Sequence, residues 1–298
     1  MRRSTHPLQL LSPPYRRLVP VPDLAAPLSG VEDPRGTALV WTMDAPPRGD
    51  VFENVRCRPG GIPLLVILPP AEEMDRPDDV LRVVEQGRPH SVLPFHPDPA
   101  PADLRSILSR SPENLAVEIG DYLTWRGFDL DQDTRRIIRR IVELSSELRT
   151  VSALARSLYL SRRALGRRFM QRGLPVPSHW LQMSRLLRAA IRLQSGEENV
   201  FVVAAGLGYP DGFALSNQMK RLIGVRPTRA RERLGWEWLL ESWLRKEARE
   251  GGFSNEWKDA FPADLHPPGE GRDDEDARSE GPRQATGSGW ARRARSRS

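Results

Sequence analysis

In the stretch LSRRALGRRFMQRG, residues 160–173, five arginines are interleaved with an apolar pair, Leu165 and Phe169. On a helix turning about 100° per residue, Leu165 and Phe169 share one side. Arg163 and Arg167 share the opposite side, near Gly166 and Met170. Such a helix buries one edge and presents guanidinium groups on the other. Their chemistry is recognition rather than bond making: permanently charged planar forks that donate hydrogen bonds to acceptors on a partner. Fifty residues on, the plan recurs with other side chains. Asp211 stands where Ser161 stands, both N-cap types. Leu215 and Met219 repeat the Leu165 and Phe169 positions, and Phe213, Ser216 and Asn217 fall outward.

The other reactive residue types do not converge. Cys57 is the single cysteine, which leaves no intramolecular disulfide and no Cys-rich zinc site. Its RCRPGG context carries no recognisable acceptor motif. Ser178 and His179 are adjacent, but no acid or oxyanion loop lies near them in sequence. Asp44 follows an apolar strand as a phosphoacceptor would, without a matching acidic pair for Mg²⁺. We therefore expect no catalytic residue, no metal and no cofactor.

Charge points the same way. The chain of 298 residues carries a net +6, with a pI near 10.0. Residues 149–235 hold sixteen Lys and Arg against four Asp and Glu, so that segment is +12 and the rest −6. A cationic footprint gathered on one segment suits a polyanionic partner. The N-terminus lacks an apolar signal core, and no run approaches about 18 apolar residues. A cytoplasmic, nucleoid-associated location and no membrane partner are the expectations.

Elements must hold these faces in place. Residues 1–34, rich in Pro and Arg, read as a disordered lead. Over 35–111, the apolar runs TALVWTM (37–43), IPLLVIL (62–68) and HSVLPF (90–95) alternate with helical patterns at 77–87 and 101–110. This predicts a small parallel α/β unit, receiver-like in outline, with a core thin enough to need a neighbour's cover. Over 112–250 the period is helical. Segments 113–127 and 131–148 lead into two helix-turn-helix units, at about 150–173 and 199–224. Leu154, Ala155 and Leu158 support the first, and Ala204 takes the small-residue place in the second. A long helix at 178–194 joins them, and Arg185 on it reads as structural. Residues 228–250 read as one amphipathic helix striped by Trp236, Leu239, Leu240, Trp243 and Leu244. The aperiodic residues 251–298 read as a disordered tail. The fold class is thus α+β: a small N-terminal α/β domain and an all-α tandem helix-turn-helix domain.

The motifs ALARSLYLSRRALGRRF, RLLRAAIRLQSG and VAAGLGYPDGFALSNQMKRLIGVRPTRAR carry a resemblance. Over about 133–235, a third of the chain, they resemble the DNA-binding domain of the AraC/XylS family of transcription regulators. The resemblance implies a sequence-specific regulator of double-stranded DNA whose two recognition helices enter successive major grooves. It assigns base contacts to Arg163, Gly166 and Arg167 on the first helix, and to Gly212, Phe213 and Asn217 on the second. Arginine suits guanine O6/N7, asparagine suits adenine N6/N7, and phenylalanine suits a thymine methyl. Arg162, Arg168, Ser216, Lys220 and Arg221 flank these faces as backbone contacts. Gly166 and Gly212 depart from the pattern, having no side chain to read with. Monomer and homodimer both stay open, RNA polymerase is an implied partner, and no small-molecule effector carries over. Two rivals stand beside this reading. One is a DNA-addressed enzyme with chemistry in the α/β domain around Cys57, Asp44 or His96. The other is an adaptor that binds protein through the Trp-rich helix 229–250.

Overall fold

Short runs rich in Leu, Val and Ile become strands when both their faces are covered. In the computed structural model this holds for β3 (Ala38–Thr42) and β4 (Leu64–Ile67), which are buried along their whole length. The structure describes residues 7–21, 34–43, 49–70, 72, 77–96, 98–196, 198–258 and 261. All of them fall in one compact unit, Met1–Pro262. Strands β3, β4 and β5 (Ser91–Leu93) run parallel and are joined through α1 (Gly49–Arg56) and α2 (Pro77–Gly87). Leu39, Trp41, Leu64 and Val66 face Val51, Phe52 and Val55 of α1 and Val83 of α2. Ala38, Val40, Leu65 and Ile67 face Leu104 and Leu108 of α3 (Pro101–Leu108), together with Tyr15 and Leu234. Leu234 comes from the helical half of the chain, so that half helps to close the thin core.

Two expectations fail here. The lead is not wholly irregular: β1 (Leu8–Leu11) and β2 (Leu18–Pro20) form a hairpin, and β1 also pairs with β3. Both pairings are antiparallel, so the sheet, ordered β2-β1-β3-β4-β5, is mixed rather than parallel. Burial of Leu8 and Leu11 holds β1 in place, and Pro13 and Pro14 sit in the turn after it, where a missing N–H costs no ladder bond. Residues 1–6, 22–33 and Asp44 lie outside the described residues.

Beyond the sheet, α4 (Leu115–Trp125) and α5 (Gln132–Leu144) lead into α6 (Val151–Ser157), α7 (Arg162–Gln171), α8 (Pro177–Gln194), α9 (Val200–Gly206) and α10 (Gly212–Ile223). The expected helix 228–250 is two: α11 (Pro227–Glu232) and α12 (Glu237–Arg249). Between them Leu234 is drawn into the sheet's core and the backbone turns left-handed at Gly235 (φ 83°). Nor is α12 amphipathic. Trp238, Leu239, Leu240, Trp243 and Leu244 are buried, and so are Glu237, Glu241 and Glu247. The start of the expected disordered tail is packed: Phe253, Trp257 on α13 (Asn255–Lys258) and Phe261 gather around Phe128. Residues 262–298 lie outside the described residues.

Buried acids on α12 tie the helical half to the sheet. Glu237 meets His90 Nδ1 at 2.7 Å and Arg88 at 3.7 Å. Glu241 accepts from Tyr122 Oη at 2.8 Å and from Arg126 Nε and Nη2, both at 3.1 Å. Tyr122 Oη in turn accepts from the Gly61 amide. On the far face, Tyr15 Oη donates to the Gly36 carbonyl and accepts from the Leu234 amide, both at 2.6 Å. Burial is the strongest single influence on His90 and disfavours its charged form, but the Glu237 charge and hydrogen bond outweigh it and raise the pKa. Burial likewise opposes the Glu237 carboxylate, while His90 and Arg88 together hold its pKa down to about 2. His179 is raised too, chiefly by its hydrogen bond to Glu247.

The two helix-turn-helix pairs differ by one residue in the turn. Thr150 and Asn199 cap the first helices, and Ser161 and Asp211 cap the second. The cap-to-cap spacing is therefore eleven residues in one unit and twelve in the other. Ala155 is matched by Ala204, and the left-handed turn residue Tyr159 (φ 56°) by Gly208 (φ 69°). Left-handed backbone costs a residue with a Cβ about 1–2 kcal/mol. Tyr159 is 97% exposed, so its ring offsets little of that cost. At Gly208 a Cβ would run into the Arg149 guanidinium, which lies against the turn.

Thermal unfolding tests the turns. Tyr159→Gly should gain up to about 1 kcal/mol, a midpoint rise of about 2–4 °C. Gly208→Ala should lose at least about 1 kcal/mol. Urea unfolding across pH tests the buried pair. A histidine pKa raised by folding gives stability that is complete below its ordinary 6.5 and lost as pH rises through the raised value. The lowered Glu237 pKa gives stability that is complete above the ordinary 4.5 and lost as pH falls toward about 2. The pair's contribution is therefore greatest between pH 4.5 and 6.5. His90→Gln should flatten the decline on the alkaline side to the share left by His179.

Candidate nucleic-acid interface

Helix α8 organises the cationic segment. It starts with a proline at its first turn, runs eighteen residues, and buries twelve of them. It packs against α6 and α7 of the first unit and against α9 and α10 of the second. A helix covered on so many sides cannot shift relative to either unit without opening the core. Its arginines are structural, as expected for Arg185. Arg185 Nη2 donates to the Leu207 carbonyl at 2.6 Å, and its guanidinium lies 4.7 Å from the centre of the Tyr209 ring. Arg188 donates to Ser145 Oγ at 2.9 Å and to the Val142 carbonyl at 2.8 Å, capping the end of α5. Gln194 Nε2 reaches the carbonyls of Ala230, Arg233 and Gly235 and holds the α11–α12 turn.

Each second helix is started by its N-cap. Ser161 Oγ accepts from the Ala164 amide at 3.0 Å, and Asp211 Oδ1 accepts from the Ala214 amide at 2.7 Å. Leu165, Phe169, Leu215 and Met219 are fully buried. This fixes the roll of α7 and α10 and leaves Arg162, Arg163 and Arg167 exposed on one, and Phe213, Asn217, Lys220 and Arg221 exposed on the other. No hydrogen bond or ion pair ties Arg163, Arg167 or Asn217 to the described residues. Gly166 is half-buried, and a Cβ there would meet nothing within 4 Å. Ser216 is half-buried.

Two positions, Gly212 and Arg168, are not fully exposed on an outer face, and Arg221 keeps its exposure while bonding a neighbour. Gly212 is buried, and a Cβ on it would meet Phe201 Cδ1 at 3.0 Å. Its lack of a side chain makes room for that ring. Arg168 is half-buried and lines a polar cavity of about 240 Å³ with Asp131, Asp133, Thr134, Gln171 and Arg172, which directs it toward α5. Arg221 Nη2 donates to Gln182 Oε1 at 3.0 Å.

Sequence reasoning missed Phe201 and Arg149. Phe201, on α9, is 60% exposed and meets Phe213, 72% exposed, edge to face, with centroids 6.2 Å apart and planes at 85°. The residues implicated in other chemistry stay apart. Cys57 is exposed and donates to Glu53 Oε1 at 3.3 Å. His179 Nδ1 bonds buried Glu247, which also accepts from Trp243 Nε1. Among the described residues no group of three or more His, Cys, Asp or Glu could hold a metal, and no helix is long and apolar enough to cross a membrane. Trp236, Trp238 and Trp243 are at most 2% exposed, so the Trp-rich segment offers an adaptor no aromatic surface.

Residues 154–233 match a family model described as a helix-turn-helix domain. The match covers little more than a quarter of the chain and runs from within α6 past the end of α11, so it includes both units. No curated protein and no solved structure matches the chain. Residues 154–233 form a DNA-binding helix-turn-helix domain of the AraC/XylS type.

Proposed function

We propose that the protein regulates transcription by sequence-specific binding of double-stranded DNA, with α7 and α10 in successive major grooves about 34 Å apart. One observation carries this reading. Two helix-turn-helix units share one core on α8, and both turn unpaired polar or cationic side chains outward. Arg163 and Arg167 read guanine in one half of the site, and Asn217 reads adenine in the other, each bidentate contact discriminating by about 1–3 kcal/mol. Gly166 brings the backbone close to the groove. Arg162, Ser216, Lys220 and Arg221 hold phosphates and set register. One chain carries both heads, so a monomer binds an asymmetric site and a homodimer adds affinity. RNA polymerase is the partner through which occupancy acts, and the nucleoid is where the protein works. The α/β unit has no catalytic part in this scheme.

Selection of bound duplexes from a random pool tests the assignment. Arg167→Ala should relax base preference at one or two positions in one half of the selected site, and Asn217→Ala at one or two in the other. A uniform loss of affinity on every sequence would remove that residue from the readers. The logarithm of the binding constant should also fall linearly with the logarithm of salt concentration, by about 0.9 per phosphate contact. Affinity independent of salt would contradict a phosphate-held complex.

A further inference from the structure

The two outward faces do not offer the same chemistry. With the caps aligned, Phe213 stands where the first unit has Arg163, and Asn217 where it has Arg167. In the helices before them, Phe201 stands where the first unit has Ser152. The second unit has therefore exchanged a guanidinium and a hydroxyl for two phenyl rings. Both rings project into solvent, with Val202, itself 50% exposed, following Phe201 on α9. Exposed aromatic pairs are costly on a free surface and mark a site of contact. This one is also built. The Phe201 ring lies over Gly212, where any Cβ would press on it at 3.0 Å, and its edge-to-face contact fixes Phe213. Lys220 and Arg221, further along α10, supply charge complementary to a nucleic-acid backbone.

We propose that Phe201 and Phe213 together form a two-ring apolar reader for the 5-methyl group of a pyrimidine in the major groove, with Gly212 as the residue that seats Phe201. This rests on the reading of α10 as a DNA-facing helix and names what the second half of the site contains. A phenyl ring cannot answer the hydrogen-bonding edge of a base, but a methyl group at pyrimidine C5 is the one apolar feature the major groove displays. Two rings at right angles cover such a methyl from two sides. The occupant is a 5-methylpyrimidine: thymine, or cytosine methylated at C5. The first unit, with arginines at the matched positions, has no such preference.

The test uses the full-length protein and its selected duplex. Each thymine in the α10 half is replaced in turn by deoxyuridine, which removes the methyl group and nothing else. At one or two adjacent positions wild-type affinity should fall about three- to tenfold, as loss of one or two buried methyl contacts implies. Replacing that thymine by cytosine should cost at least as much, and 5-methylcytosine should recover part of the loss. Phe201→Ala, Phe213→Ala and Gly212→Ala should each bind the thymine and deoxyuridine duplexes alike. Phe213→Leu, which keeps an apolar surface, should retain part of the discrimination. The rings of Phe201 and Phe213 are exposed, so their variants test the contact without opening the core. If wild-type protein binds its site specifically but is indifferent to every deoxyuridine, the two-ring reader is wrong while the two-helix reading stands. If no site is selected, or α10 protects no groove, both are overturned.

Discussion

The placing of the two outward helix faces depends on the enclosure of α8. An eighteen-residue helix with twelve buried positions is not a linker that lets two modules swing. Leu186, Leu187, Ala189 and Ala190 belong to the same core as Leu165, Phe169, Leu215 and Met219. The second helices of both units are thus keyed into one continuous apolar body. Arg185 and Arg188 reinforce it by spending their donors on the carbonyl ends of neighbouring elements. Arg149, beside Gly208, joins the start of one unit to the turn of the other. The spacing and relative rotation of α7 and α10 are fixed by packing before any ligand arrives.

A second constraint attaches this body to the sheet. Glu237 and Glu241 are carboxylates removed from water, a cost tolerated only when partners surround them. His90, Arg88, Tyr122 and Arg126 provide those partners. The partners come from strand ends and α4, the acids from α12, so the contact holds in one arrangement alone. With Leu234 closing one face of the sheet, the α/β part and the helix-turn-helix part share a boundary rather than a tether. The adaptor reading finds no free aromatic surface here, because Trp236, Trp238 and Trp243 are buried in the helical core.

Local pattern made much of this visible. The helix at 77–87 has the bounds its turn signals give, and the caps Ser161 and Asp211 are legible from residue type and position. The roll of α7 and α10 followed from the spacing of four apolar residues. What escaped depended on partners distant in the chain. Leu8 and Leu11 make a short apolar signal among prolines, and the strand they pair with lies some thirty residues on. The break at Leu234 has its cause in the sheet, so the periodicity of 228–250 runs straight across it. Gly212 looked like a reader with nothing to read, because the ring that covers it belongs to another helix. The one-residue difference between the turns shows only once the caps are in place, and the glycine at the second turn answers to Arg149, a residue outside the turn.

If α7 and α10 belong to one rigid body, as their shared core requires, the spacing of a DNA site they both read is fixed. Base pairs are inserted one at a time between the two halves of the selected duplex, and affinity is measured for each. Every added pair turns one half relative to the other by about 34°, since about 10.5 pairs complete a turn. A rigid pair of heads predicts that two or more inserted pairs reduce binding to that of a single half-site, with recovery absent even at a full added turn because the reach is fixed. Affinity that stays near its original value across the insertions would mean that α7 and α10 are free to move apart and do not share one rigid body.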